Sequence, residues 1–395
     1  MIPEGRWSRW LPWRTRRGSP GDATGPPWDD AAVHLDRPRR LGLAAVAAAP
    51  LVVLAAALAA ALARPVAAHG AVPAEPPDVA TLLLGWSFEP VLALPLLVAV
   101  VAWWRLLGAA DRAHPDHPVP ALRRWSFLAG LGAIAVALQS GIERYDTTLF
   151  SVHMVQHMLL TLVAPPLLAL GAPVTQLLRA ASPATRARWL LPILRSRLVG
   201  VLSHPTIAWL AFVSVMWATH FSPLFDRSLE DSLVHDVEHF LFLGSAVLFW
   251  WPAVGLDPAP RRMGHAGRIL YLFMQMPQNS FLAISILFAG APLYPHYATL
   301  GSPYGIDALA DQQLAAGLMW FVGDAIFLAA LLAVLAGWMR SEDRGAAAAE
   351  RRADVERGQI REREAALRRR RGLGVDGAEP ERPDQPGTGE VSSSR

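Results

Sequence analysis

Stretches of roughly 20 apolar residues recur along this chain of 395 residues, at 41–63, 88–107, 125–141, 149–171, 200–219, 235–254, 269–289 and 316–339. At a rise of about 1.5 Å per residue, each matches or nearly matches the ~30 Å hydrocarbon core of a bilayer; 125–141 is the shortest. Within lipid every backbone amide must find its partner inside the segment, so such stretches fold as helices. The pattern predicts an all-α, polytopic membrane helix bundle with seven to eight transmembrane helices. Composition agrees. Hydrophobic residues make up 53% of the chain and charged residues only 17%, against about 25% in a soluble domain.

The arginines orient the bundle, because cytoplasmic loops retain positive charge. Arg105, Arg112, Arg123 and Arg124 fall at or between the second and third stretches, counting from 41–63. Arg179, Arg186, Arg188, Arg195 and Arg197 lie between the fourth and fifth, and Arg261, Arg262 and Arg268 between the sixth and seventh. The alternate loops hold only Arg144 and Arg227, with Arg64 at the edge of the first. The alternation predicts cytoplasmic N- and C-termini. A pI near 9.8 then reflects basic segments suited to anionic membrane lipids and topology control, with no nucleic acid implied.

Four regions follow. Residues 1–40 form an Arg-, Pro- and Trp-rich cytoplasmic arm. Residues 41–68 are a first transmembrane span or a signal segment, since ARPVAAHG resembles a cleavage site that would expose His69 as a metal-chelating N-terminus. Residues 82–340 form the membrane bundle. Residues 341–395 are a charged cytoplasmic tail, helical in AAAAERRADVERGQIREREAALRRRR and largely disordered from Gly372 onward. Between the fourth and fifth stretches, 176–196 reads as one interfacial amphipathic helix.

The chemistry concentrates in histidine. Ionisable residues inside a membrane helix are costly, yet the fourth stretch carries His153 and His157 at a spacing that puts both imidazoles on one helix face. The sixth carries a matching pair, His235 and His239, and His220 ends the fifth. The arginine topology places all five, with His69 and His296, near the external face. Cysteine is absent, which excludes disulfides, thiolate metal sites and cysteine nucleophiles. Imidazole suits copper, zinc, iron and nickel alike. Met154, Met158 and Met216 nearby tilt the choice toward copper. Asp324, in the last stretch, is a further candidate ligand or a helix-to-helix hydrogen-bonding group, and Gln156, Asp236 and Glu238 are candidate partners for the imidazoles. HDVEH matches the H-x-x-E-H pattern of inverted zinc peptidases, although no soluble catalytic domain surrounds it.

HMVQHMLLTLVAPPLLALGAP, WATHFSPLFDRSLEDSLVHDVEHFLFLGSAVLFWWPAVGLDP and RILYLFMQMPQNSFLA together resemble the Caa-type CtaG family of bacterial cytochrome c oxidase assembly factors. The likeness runs over about 82–339. It implies a multi-pass protein of the bacterial plasma membrane, an assembly factor rather than an enzyme. Its partner would be the catalytic subunit of cytochrome c oxidase, and its cargo copper for the Cu(B) site. His153, His157, His220, His235 and His239 stand at the family's histidine motif positions. Two other readings use the same residues: a membrane metalloenzyme, hydrolase or oxygenase, with Glu238 or Asp324 as general base, and a copper uptake or tolerance protein.

Overall fold

The computed structural model describes residues 72–370; the 1–40 arm, the 41–63 stretch, His69 and the end of the tail lie outside the described residues. Helices fill the described chain and no strand occurs in it. The principal ones are α1 (Pro90–Ala113), α2 (Ala121–Gln139), α3 (Phe150–Met158), α4 (Ala164–Leu170), α5 (Pro205–His220), α6 (Leu224–Glu230), α7 (Ser232–Val254), α8 (His265–Leu287) and α9 (Ala308–Arg370).

Among the described residues, five helical stretches are long and apolar enough to cross a membrane: α1, α2 extended to Tyr145, the run Phe150–Ala180, α7, and α9. The fifth apolar stretch does not form one straight span. It is interrupted at Ser203–His204, between a short helix Arg197–Leu202 and α5, and α5 reaches the length of a crossing only together with α6, as a pair bent by 68° at the Ser222–Pro223 turn. The seventh stretch forms α8, with 23 residues. Gln275, Gln278, Asn279 and Ser280 make its middle too polar to qualify on its own, and it is instead packed along α9. Outward-facing Leu94, Leu97, Val98, Val101 and Trp104 on α1 are exposed, as expected of a surface whose solvent is lipid rather than water.

The run 176–196 differs from the single amphipathic helix that its composition suggests. It is a string of short helices, Pro173–Ala180, Pro183–Thr185, Arg186–Leu190 and Leu191–Leu194. Pro183 opens the second piece, 183–194, and Pro192, which supplies no amide proton, follows its π-helical turn Arg186–Leu190. The first of these helices is capped from a distance. Asp257, in the loop after α7, accepts hydrogen bonds from the backbone N–H groups of Val174 (3.2 Å) and Thr175 (2.7 Å) and from the Thr175 hydroxyl (2.6 Å). Burial pushes the Asp257 carboxyl above its ordinary value, against the pull of those hydrogen bonds and of Arg123.

The core lies between α5, α7, α8 and α9, where Phe249, Trp250 and Phe327 are fully buried and Trp250 stacks on Phe327 at 5.7 Å. At the end of α2 the backbones approach so closely that only glycine fits. A Cβ on Gly141 would lie 2.2 Å from the Thr81 carbonyl oxygen.

Candidate metal centre

Between α3 and α4 the chain takes one π-helical turn, Leu159–Val163, starting two residues after His157. A π turn leaves carbonyls out of the normal ladder. Here the indole N–H of Trp250 on α7 donates to the Thr161 carbonyl at 2.9 Å, and the Thr161 hydroxyl donates to the His157 carbonyl at 2.6 Å. The irregular turn is thereby tied to α7, and α3 and α7 are held side by side.

The start of α7 is fixed equally locally. Asp231 accepts from the backbone N–H groups of Leu233 (2.8 Å) and Val234 (3.3 Å), an N-cap that begins the helix one turn before His235. His235 and His239 then face His153 and His157 across the helix pair. The ring centroids are 4.1 Å apart for His153 and His157, 4.1 Å for His235 and His239, 5.5 Å for His153 and His235, and 5.9 Å for His157 and His239. His220, the last residue of α5 before the bend, stands 6.2 Å from His157. All five imidazoles are therefore brought into one cluster, with exposures from 0 to 7%.

Protonation of two of the rings follows from their neighbours. His220 donates its Nδ1 proton to the Met216 carbonyl at 2.8 Å, since a carbonyl can only accept. Its lone pair is then on Nε2, which is buried with no hydrogen-bond partner. Gln156 donates through its amide nitrogen to the Ala137 carbonyl (3.0 Å) and the Glu143 carboxylate (2.6 Å). Its carbonyl oxygen therefore accepts from His239 Nε2 at 3.1 Å, leaving the His239 lone pair on Nδ1. Neither ring nitrogen of His157 is hydrogen-bonded. Buried polar atoms are normally satisfied, and imidazoles that bind metals normally donate their other N–H to a carbonyl or amide. The residues fit a metal ion on both counts.

Two carboxylates complete the cluster. Glu238, on α7, offers an oxygen within 4.8 Å of ligand nitrogens of His153 and His157. Asp146, in the turn before α3, does the same with His153 and His235, and its Oδ2 lies 3.5 Å from His235 Nε2. The turn that carries Asp146 is pinned by Tyr297, whose hydroxyl donates to the Asp146 carbonyl at 2.6 Å, and by His296, whose Nε2 meets the Thr147 carbonyl at 2.9 Å. Sequence reasoning named Glu238 as a partner and missed Asp146, because a lone aspartate between two helices carries no periodicity that would aim it inward. Phe225 on α6, fully buried, packs its ring against His153 at 4.9 Å and His220 at 5.8 Å and closes the cluster from one side.

Asp324 is not part of this group. It accepts from Asn279 Nδ2 (3.0 Å) and the Ser280 hydroxyl (2.6 Å), joining α9 to α8. Met154, Met158, Met216 and Met319 line a small cavity against His157, about 20 Å³, room for about one water.

Comparison with known proteins decides the affiliation. The family model described as cytochrome c oxidase caa3 assembly factor (Caa3_CtaG) matches residues 101–341. The chain belongs to the Caa3_CtaG family. The matched region of this CtaG-family protein holds all five clustered histidines and both carboxylates. The chain is also similar to proteins described as uncharacterized from Mycobacterium bovis and Mycobacterium tuberculosis, each 32% identical over 287 residues, and from Mycobacterium leprae, 31% identical over 289 residues. In each case the match takes in 71% of this chain but 43% of the relative, so the chain spans less than half the length of these curated relatives. No solved structure matches.

Proposed function

We propose that this CtaG-family membrane protein handles copper as cargo during assembly of cytochrome c oxidase, holding it at His153, His157, His220, His235 and His239 and passing it to the oxidase catalytic subunit for the Cu(B) site. Membership of an assembly-factor family supplies the process. The observation that carries the copper part is the convergence of five buried imidazoles, of which His220 presents an unpartnered Nε2 lone pair. Imidazole suits copper, and a site without thiolate would hold it less firmly than a soft sulfur site and so could pass it on. The protein's own residues bind and orient: Gln156 and the Met216 carbonyl fix ring tautomers, Phe225 excludes water, and the methionine-lined cavity offers soft donors beside His157. In this reading the bundle sits in the bacterial plasma membrane with its histidine end external, and its arginine-rich segments lie against lipid headgroups on the other side.

The test is an oxidase-producing strain carrying His153→Ala with His157→Ala. Oxidase purified from it should contain haem but little Cu(B). A normal copper content in that oxidase sinks the proposal.

One observation favours a second reading. Each carboxylate sits with two imidazoles, and a two-histidine, one-carboxylate set is also the ligand pattern of non-haem iron oxygenases. Purified protein carrying stoichiometric iron or zinc, with a turnover lost in Glu238→Gln, would favour a membrane metalloenzyme over copper handling.

A further inference from the structure

We propose that the cluster holds two copper ions rather than one, an outer ion on Asp146, His153 and His235 and an inner ion on His157, Glu238, His220 and His239. The inference rests on the copper-handling reading and extends it. Its first support is the number of donors. Five imidazoles and two carboxylates converge, whereas an ion bound through nitrogen and oxygen in a buried protein site is commonly four-coordinate. One ion leaves about three of these donors over.

Distance separates the two carboxylates, each with its own pair of imidazoles. Asp146, His153 and His235 each place one ligand atom within 4.8 Å of the others, and so do His153, His157 and Glu238. Each carboxylate thus belongs to a different triad. His153 occurs in both, but a neutral imidazole has a single lone pair, so it serves one ion at a time. Given to the outer ion, it leaves the inner ion to His157 and Glu238, with His220 and His239 standing 6.2 Å and 5.9 Å from His157 by ring centroid. His157, 1% exposed, has neither ring nitrogen hydrogen-bonded, and one of them lies within 4.8 Å of a Glu238 carboxylate oxygen.

Charge supplies the third argument. An isolated charge in an apolar interior is strongly disfavoured unless it is paired. Ionised on binding metal, the two carboxylates would contribute two negative charges, and two monovalent copper ions would balance them, one per group. The carboxylates thus act chiefly as counter-charges, while the imidazoles supply the nitrogen donors, which suit copper among other metals.

The experiment loads the full-length, detergent-purified protein anaerobically with copper(I) acetonitrile complex and measures copper per chain by mass spectrometry. Wild type should retain two ions, Asp146→Asn and Glu238→Gln one each, and the double variant close to none. A wild-type protein that retains one ion, lost in His157→Ala but indifferent to both carboxylate substitutions, overturns the two-ion proposal and keeps the copper-handling reading. A wild-type protein that retains none overturns both. Should a carboxylate variant fail to fold, competition of the wild type against a copper(I)-selective chelator still decides. Two resolved binding steps support the pair, and one step removes it.

Discussion

Gln156 commits its amide nitrogen to Ala137 and Glu143, and its carbonyl oxygen to His239, so one side chain sets which nitrogen of its neighbour carries the lone pair. Replacing it with leucine keeps the volume and removes that control. Outer hydrogen-bond partners of this kind are worth about 10- to 100-fold in metal affinity. Gln156→Leu should therefore weaken copper(I) binding by that range in a chelator competition, and an unchanged affinity would mean the tautomer is set elsewhere. The histidine pairs themselves were legible in the sequence, because spacing by four on an apolar helix leaves few other interpretations. Asp146 was not legible. Its inward direction depends on the turn that Tyr297 and His296 hold from a segment about 150 residues away in sequence, and no local pattern carries that information.

Among the elements, the helix Pro173–Ala180 depends on a carboxylate lent by the loop after α7. Burial raises the Asp257 carboxyl above its usual 3.8, so the folded protein holds that proton more tightly than the unfolded chain does. By linkage, this contribution to stability is fully present below the unfolded value and is lost as pH rises through the folded one. The Tm of wild type relative to Asp257→Asn should accordingly fall as pH rises from about 4 toward neutrality. A difference that stays flat across that window would show the carboxylate to be irrelevant. The crossings α1, α2 and α7 were visible in sequence because bilayer thickness dictates length and polarity together. The bend between α5 and α6 and the π turn after His157 were not, since each is an adjustment to neighbouring helices: Phe225 packs into the histidine cluster, and Trp250 bonds to Thr161. The polarity of α8 was on view in QMPQNS, but its purpose appears only where Asn279 and Ser280 meet Asp324.

For the molecule as a whole, charge and chemistry are separated along one continuous element. Helix α9 runs 63 residues, begins at the site, where Asp311 accepts from the Ser151 backbone N–H at the start of α3 at 3.2 Å, and leaves the apolar bundle near Arg340. Beyond that point its side chains are mostly exposed, and ion pairs such as Asp354 with Arg357 contribute no more than about 1 kcal/mol at the surface. A chain ending after Arg340 should keep the Tm and copper(I) stoichiometry of the full protein, and loss of either would assign the tail a part in the fold. The helical tail is nevertheless long. At about 1.5 Å per residue, the helical residues after Arg340 form a rod on the order of 45 Å long, as deep as the membrane is thick, rooted in the same helix that touches the site. Its arginine-rich tip and the turn that meets Ser151 therefore belong to one unbroken helix, with no hinge between them.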